Sequence, residues 1–256
     1  MILSVYQNTR KLQPQSGNLG VEIRRKVCYN GVLKRKVCPM KKKADVLSIV
    51  NGLKELYPDS ICSLQYQKDY ELLFAVRLSA QCTDERVNKV TPALFARFPT
   101  LESFAQADPA EVGELIRSCG FFNTKSRDLV LCAQMLLGDY GGRVPREMDD
   151  LLRLPGIGRK TANLIRGDIY HEPGCVVADT HCIRISGRLG LTDGTKDPAK
   201  VEEQLRKVLP PEESNDFCHR LVLHGRAVCT AREARCGLCP LTPWCSYARK
   251  ALRKRG

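Results

Sequence analysis

The sequence contains no long apolar run, hardly any alternating strand pattern and no secretory signal. No apolar stretch approaches the roughly 20 residues that a membrane-spanning helix needs, and none follows a basic start at Met1. The one β-branched run, Cys175-Val176-Val177, is too short to build a sheet. We therefore expect a mostly α-helical protein without a membrane segment.

Acidic residues are also few, since 28 Asp and Glu stand against 41 Lys and Arg, for a net charge of +13. This charge favours a polyanionic partner, nucleic acid above all; the alternative is a basic protein that has no such partner. Residues 1–39 contain a single acid, Glu22. We predict that residues 1–43 form a basic, flexible extension. Met40 is then the natural start of the protein, and an organelle-targeting peptide is the alternative.

Apolar residues recur at helical spacing through the rest of the chain. Val46, Ile49, Val50 and Leu53 follow the i, i+3, i+4, i+7 pattern of an amphipathic helix. The run 72–76 is apolar nearly all round, as in a central buried helix. The fold class is therefore predicted to be all-α. Further helices are predicted around residues 112–116, 129–137, 148–152, 164–165, 201–209 and 217–228.

Two glycines interrupt this helical pattern in the run Leu154-Pro155-Gly156-Ile157-Gly158, which lies between two predicted helices. Glycines permit a sharp turn and a close approach of the backbone to a ligand. The N–H groups at the start of the following helix can bind a phosphate, which positions DNA without reading its bases. The pattern predicts a helix–hairpin–helix, and an ordinary helical corner is the alternative.

Lys160 and Asp179 are the candidates for catalysis. A lysine in the first turn of a helix opposes the helix dipole, and this field favours the neutral amine, a nucleophile that can form a Schiff base with a sugar aldehyde. Asp179 could take its proton and stabilise positive charge on the sugar. The plainer alternatives are a phosphate-contacting lysine and an aspartate that caps a helix. His181 is interpreted as structural.

Thirteen cysteines fall into two groups. Nine are scattered, mostly in apolar or helical contexts, where a thiol acts as a small core side chain. The other four follow the spacing C-x6-C-x2-C-x5-C, which suits zinc or an iron–sulfur cluster, and the spacing does not separate the two. Arg232 and Arg235 lie in the first loop between these cysteines, where a metal site would hold them for phosphate contact. The four are Cys229, Cys236, Cys239 and Cys245.

The run LPGIGRKTAN, the run VVADTH and the cysteine tail together resemble the endonuclease III family of DNA glycosylases. LLFAVRLSAQCTD and GFFNTKS are also similar, so the resemblance covers roughly residues 44–248. It implies a two-domain helix–hairpin–helix glycosylase fold with DNA bound between the domains. Residues 62–172 would form a six-helix bundle domain with the hairpin, and residues 44–61 and 173–256 a discontinuous domain with a 4Fe-4S cluster.

By position, the resemblance implies that Lys160 is the nucleophile and Asp179 the catalytic carboxylate. It makes the four terminal cysteines the cluster ligands. Gln81 matches the residue that fills the space of an extruded base, and Phe121 stands where the family commonly has a leucine wedge. The residues expected to contact DNA are Gln81, Phe121, Leu154, Gly156, Gly158, Arg159, Thr161, Arg232 and Arg235.

The resemblance implies a bifunctional DNA glycosylase and abasic-site lyase that removes oxidised pyrimidines from double-stranded DNA. We expect a monomer that acts on such lesions or on abasic sites, without a membrane, and that is cytoplasmic (at the nucleoid) if its source is bacterial. An adenine-mismatch glycosylase shares the hairpin, aspartate and cluster but would lack a lysine at position 160. A non-enzymatic hairpin protein would not need Lys160 and Asp179, and an electron-transfer iron–sulfur protein would not need the basic charge.

Overall fold

Helices account for nearly all regular structure in the computed structural model, which describes residues 41–59 and 62–253. The one β-type pairing within these ranges is the isolated bridge between Cys229 and Ala234. The helices are α1 Lys43–Leu56, α2 Asp69–Ser79, α3 Asp84–Arg97, α4 Leu101–Ala105, α5 Pro109–Leu115, α6 Phe122–Tyr140, α7 Met148–Arg153, α8 Arg159–Asp168, α9 Thr180–Leu189, α10 Pro198–Val208, α11 Ser214–Ala227 and α12 Ser246–Leu252.

Side-chain caps and prolines define where several helices begin. Asp108 and Asp197 accept backbone N–H groups at the starts of α5 and α10, and a proline fills the first position of each helix. Proline suits that position because its missing N–H would have had no partner within the helix. Thr83 caps α3 by accepting the N–H of Arg86. These local signals set helix boundaries that apolar periodicity alone leaves open.

Helix α2 lies at the centre of the packing, because its residues 71–76 are all buried. It contacts α3, α6 and α8, while α6 packs along α4 and α5. Phe74 of α2 meets Phe104 of α4 edge-to-face, with ring centroids 4.9 Å apart. The buried central helix predicted from residues 72–76 is therefore confirmed.

A second group of contacts joins α1 to the C-terminal part of the chain. Helix α1 packs against α11 and the turn 242–244, and α9 packs against α11 and α12. The predicted apolar face of α1 is confirmed, since Val46, Ile49, Val50 and Leu53 are its buried residues. Gly52 allows a close approach to Leu241, because a Cβ at this position would lie 2.9 Å from the leucine side chain.

Some predictions from sequence fall beyond the described residues or are adjusted by them. The basic extension was predicted to run to residue 43, but α1 already begins at Lys43, and residues 1–40 lie outside the described residues. The run Cys175-Val176-Val177 is buried but forms no strand. No helix in the described part of the chain is long and apolar enough to cross a membrane.

Candidate active site

The glycine turn joins α7 to α8 and packs closely on a half-buried ion pair. Gly156 has φ +71°, a conformation that favours glycine. A Cβ on this residue would lie 2.0 Å from Nε of Arg77. That guanidinium donates to Asp128, with Nε 2.8 Å from Oδ2. Both the backbone conformation and the close approach therefore require glycine here, which makes the turn more constrained than an ordinary corner.

Gly158 is the residue before α8, and its α-carbon faces open space. No heavy atom lies within 4 Å of the position that a Cβ would take, and its φ of −106° is accessible to any residue. The first turn of α8 contains no acidic residue, so the partial positive charge of the helix start is not neutralised locally. This arrangement leaves room for an anion to approach the first N–H groups of α8.

The other residues of the hairpin that were predicted to contact DNA have different surroundings. Arg159 is half-exposed, but its guanidinium donates to both carboxylate oxygens of Glu202, at 2.8 and 2.9 Å. Thr161 is half-buried. The Leu154 side chain is buried, so the DNA contact predicted for this residue would have to come from its backbone.

Asp179 stands at the N-terminus of α9, after the buried extended segment 175–178. Its Oδ1 accepts the backbone N–H of Cys182 at 2.6 Å, which caps the helix. The capping interpretation weighed from the sequence is therefore observed. It does not compete with a catalytic one, because a cap fixes the orientation of the carboxylate.

A cavity of about 490 Å³ brings Lys160 and Asp179 together, although 19 residues separate them in sequence. The two side chains come from the starts of different helices, α8 and α9. Its volume is in the range of ligand pockets in proteins. Lys160 is exposed, so the partial burial expected for its side chain is not seen.

The cavity is also lined by Asp84, Arg226 and Ser63, which no local sequence pattern singles out. Asp84 accepts from Arg226, with Nη2 and Oδ2 3.0 Å apart, and from the hydroxyl of Ser63 at 2.5 Å. All three line the same cavity as Lys160. Asp84 and Arg226 lie 142 positions apart, so no local motif or periodicity links them. Asp84 begins α3 and Arg226 lies near the end of α11. Only tertiary packing therefore brings their side chains to the same wall of the cavity.

His181 also lines the cavity. Burial lowers the pKa of His181, and the nearby Asp179 carboxylate opposes this effect only in part. The Nδ1 atom lies 3.1 Å from Nη2 of Arg184. Since an arginine nitrogen can only donate, Nδ1 accepts and the ring proton is on Nε2. The contact with Arg184 thus fixes the tautomer of the neutral His181 ring, and the structural role of this residue stays a prediction.

Two short loops carry Gln81 and Phe121, and both residues have a left-handed backbone, with φ of 56° and 48°. Neither belongs to the cavity lining. Phe121 is 67% exposed, although it is a large apolar residue. Between the loops lies the buried Lys125, whose Nζ donates to the carbonyls of Leu78 and Cys119 at 2.8 and 2.9 Å. Lysine is rarely fully buried unless paired, and here it ties the bases of the two loops together.

The four terminal cysteines surround one narrow cavity between α9, α11 and α12. Three of their sulfurs have nitrogen atoms close by. Nη1 of Arg188 lies 3.1 Å from Sγ of Cys229, Nε2 of His224 lies 3.4 Å from Sγ of Cys239, and an N–H of the backbone lies 3.5 Å from Sγ of Cys245. Burial raises the pKa of Cys239, and the other three cysteines raise it further.

Such a set of thiols suits a soft metal ion or an iron–sulfur cluster. Within residues 41–59 and 62–253, no three His, Cys, Asp or Glu side chains are placed to hold a single metal ion. Four sulfurs around one cavity, with hydrogen-bond donors beside them, fit the donor set of an iron–sulfur cluster. Arg232 and Arg235 are exposed on the loop between the first two cysteines.

Comparison with known proteins gives consistent matches. The HhH-GPD superfamily of base excision DNA repair proteins matches residues 74–211. Endonuclease III of Synechocystis sp. is 44% identical over 216 residues, which are 84% of this chain and 97% of that protein. Endonuclease III of Escherichia coli (strain K12) is 38% identical over 208 residues, 81% of this chain and 98% of that protein. A structure of a trapped endonuclease III–DNA covalent intermediate, an estranged-adenine complex, aligns with a TM-score of 0.77 and 37% identity, covering 84% of this chain and 100% of that chain.

Proposed function

The chain belongs to the endonuclease III family, within the HhH-GPD superfamily of base excision DNA repair proteins, and we propose that Lys160 and Asp179 carry its DNA glycosylase and abasic-site lyase chemistry. The substrate that we propose is double-stranded DNA with an oxidised pyrimidine or an abasic site. The observation that supports the assignment is the shared cavity, which is lined by both the exposed Lys160 and the helix-capping Asp179.

The lesion has to leave the base stack before it can reach this cavity. An enzyme that acts on a base extrudes the nucleotide from the duplex, and a damaged base makes this step less costly. In our proposal the turn at Gly156 and Gly158 holds the phosphate backbone at the start of α8. Gln81 fills the space left by the base, and the exposed ring of Phe121 enters the duplex beside it. Arg232 and Arg235 would contact further phosphates.

The reaction that we assign to Lys160 begins with its neutral amine. Nζ attacks C1′ of the extruded nucleotide, and the bond between C1′ and the base breaks, so the base leaves. The sugar ring opens to give an imine between Nζ and C1′. This imine makes the C2′ proton acidic, and its loss expels the 3′ phosphate by β-elimination. Strand cleavage 3′ to the lesion is the result.

Asp179 supports this chemistry through its fixed position. Its Oδ1 is used by the helix cap, so the carboxylate cannot turn away from the cavity wall. We propose that its second oxygen takes a proton from the Lys160 ammonium and later faces the positive charge that develops on the sugar. In this proposal the hairpin positions the DNA backbone, whereas the Asp179 carboxylate accepts the proton and stabilises the positive charge on the sugar.

We further propose that Cys229, Cys236, Cys239 and Cys245 hold a 4Fe-4S cluster, in a domain made of residues 44–61 and 173–256. The nitrogen atoms beside their sulfurs support this assignment. When bound, such a cluster would cross-link the segment 229–245 and hold the loop of Arg232 and Arg235 rigid. Residues 62–172 would form the six-helix domain. A monomer in the bacterial cytoplasm, at the nucleoid, is the state in which we expect the protein to act.

Borohydride trapping on a thymine-glycol duplex tests the proposal, because reduction converts the imine into a stable covalent adduct. The wild type should release the base, cleave the strand and form the adduct, and Lys160→Ala should form none. Lys207→Ala is the matched control: Lys207 is exposed on α10 and does not line the cavity, so it should behave like the wild type. An adduct in full yield from Lys160→Ala would contradict the assignment, and DNA binding without base release would favour a non-enzymatic hairpin protein.

A further inference from the structure

Two thiols meet between the loops that carry Gln81 and Phe121. Cys82 directly follows Gln81, and Cys119 ends the short turn that leads through Gly120 to Phe121. The side chains of Cys82 and Cys119 are within hydrogen-bonding contact. The 37 positions between them in sequence give no local reason for this proximity. It comes from the packing of α3 against the turn 117–119.

The bases of these loops are held in a fixed relation. Lys125 donates to the carbonyl of Leu78, three residues before Gln81, and to the carbonyl of Cys119. Lys125 is 1% exposed, so these hydrogen bonds are shielded from water and strongly favoured over their loss. The two thiols therefore stay close to each other while the tips of the loops remain accessible.

The two thiols differ in how solvent can reach them. Cys82 is partly exposed and lines the cavity, whereas Cys119 is buried. A second pair of thiols in contact, Cys182 and Cys218, is buried on both sides. A soluble reagent can attack the first pair through the partly exposed Cys82, whereas Cys182 and Cys218 are only 0% and 2% exposed, although Cys218 borders the same cavity. The second pair is thus an internal reference within the same molecule.

We propose that Cys82 and Cys119 form a redox-sensitive pair, which a small-molecule disulfide such as oxidised glutathione converts into a disulfide bond that links the two loops. The Cys82 thiolate attacks one sulfur of the reagent and displaces one thiolate, giving a mixed disulfide. The Cys119 thiolate then attacks the sulfur of Cys82 and displaces the second thiolate. The two protons lost by the cysteines go to the two released thiolates. The protein loses two electrons, and the reagent gains them.

The environment of Cys119 determines which thiol reacts first. Burial raises the pKa of the Cys119 thiol to about 11, and the neighbouring Cys82 raises it as well, while the positive charges of Lys125 and Arg86 partly oppose this. Cys119 is therefore a poor first attacker, because the thiolate is the reactive form. Once the mixed disulfide has formed on Cys82, Cys119 already lies next to it. Cys119 therefore attacks without having to meet a reagent molecule, and it acts as the resolving thiol.

Cross-linking should lower activity on a duplex, an effect that rests on the proposed roles of Gln81 and Phe121. An S–S bond is about 2.05 Å long, shorter than a hydrogen bond between thiols, so its formation draws the bases of the loops together. Gln81 and Phe121 would then shift from the positions that base extrusion needs. Displacements of about 1 Å in a catalytic arrangement reduce rates about 10- to 100-fold, and a reversible loss of this size is expected.

The test uses the full-length, cluster-loaded protein incubated with oxidised glutathione under anaerobic conditions, followed by peptide mapping. The expected result is a peptide pair linked through Cys82 and Cys119 that dithiothreitol separates, with Cys182 and Cys218 still reduced. Glutathione on Cys82 without the internal bond would overturn the proposal. Equal oxidation of the Cys182–Cys218 pair would also overturn it, because reactivity would then reflect unfolding and not access through Cys82.

Cleavage of a thymine-glycol duplex provides the functional readout, with Cys82→Ser as the matched variant, because it lacks the thiol that attacks the reagent. Treated wild type should lose activity 10- to 100-fold and regain it with dithiothreitol, while treated Cys82→Ser should keep the activity that it has before treatment. Equal losses in both would contradict the effect on the loops and indicate cluster damage. Cys82→Ala replaces Cys82→Ser if circular dichroism shows that the serine variant does not fold. If the untreated wild type releases no base, the proposed function fails, and peptide mapping still decides the thiol chemistry.

Discussion

The carboxylate of Asp179 accepts the backbone N–H of Cys182 at 2.6 Å, so the residue that we assign to proton transfer is also the cap of α9. Substitution of Asp179 can distinguish its capping role from its proposed role in proton transfer. Asp179→Asn keeps the cap, because asparagine caps helices as well as aspartate does, and should change the free energy of unfolding by less than about 0.5 kcal/mol. It should nevertheless reduce base release about 10²- to 10⁴-fold.

Asp179→Ala is the comparison, since it removes both the cap and the carboxylate and should cost about 1 kcal/mol of stability in addition to the activity. Urea unfolding and single-turnover base release measure the two effects. Full activity in Asp179→Asn would show that the residue has only a capping role.

The two glycines of the hairpin should respond oppositely to alanine. Gly156→Ala places a Cβ against Arg77 at positive φ and should destabilise the fold by about 1–3 kcal/mol. Gly158→Ala meets no protein atom within 4 Å and should cost less than about 1 kcal/mol. Its methyl group should instead hinder the phosphate and weaken binding to duplex DNA. Urea unfolding and fluorescence anisotropy at one fixed salt concentration separate the effects, and wild-type affinity in Gly158→Ala would argue against this phosphate site.

An acid-sensitive ion pair joins α1 to the start of α11. The hydrogen bond from Lys54 lowers the pKa of Glu213, and Arg220 lowers it further, with burial in opposition. A carboxyl with a lowered pKa in the folded state stabilises the protein above its unfolded-state pKa, and this contribution is lost as the pH falls through the folded-state value. Glu213→Gln should therefore cost about 1 kcal/mol at pH 7, allowing for solvent screening.

The difference between wild type and Glu213→Gln should shrink as the pH falls below the ordinary glutamate value of 4.5. Urea unfolding at a series of pH values measures it. Glu203→Gln is the control, because Glu203 and its partner Lys207 are both exposed, and it should cause no measurable change. A difference that persists at low pH would mean that packing, and not charge, explains the effect of Glu213→Gln.

Removal of one proposed cluster ligand should affect iron content and DNA binding together. Cys236→Ala deprives the cluster of a thiolate, so iron and sulfide per protein should fall, and affinity for duplex DNA should fall because Arg232 and Arg235 lose their rigid support. Cys132→Ala, at a buried cysteine of α6, should keep the iron. Full iron content in Cys236→Ala would contradict the assignment of Cys236 as a ligand.

Apolar spacing predicted much of the helical fold because each helix buries one stripe of its own surface. The four residues of the predicted stripe on α1 are its buried residues, and α2 is buried nearly all round. Helices α3 and α4 were not predicted from periodicity. Helix α3 has such a stripe, because its buried residues Val87, Thr91 and Leu94 lie at i, i+4 and i+7, and the prediction missed it. Helix α4 has only five residues, too few to leave a clear pattern.

The sequence predicted those site residues that belong to short local motifs. It did not predict the residues that tertiary packing brings together. The turn before Lys160 and the run before Asp179 are local, and both residues line the cavity. Pairing of Asp84 with Arg226 depends on chain segments far apart in sequence. The same holds for Lys125, which looks like a surface lysine in the sequence but is buried between two backbone carbonyls.

The packing of α1 against α11 has a consequence for synthesis on the ribosome. Helix α1 emerges early, but Glu213, which accepts from Lys54, follows 159 residues later. At typical translation rates of about 5–20 residues per second, this delay lasts roughly 10–30 s. Throughout it, the apolar stripe of α1 has no native partner, while α2 to α8 can already fold. A nascent chain arrested before α11 should therefore expose α1 to chaperones and proteases.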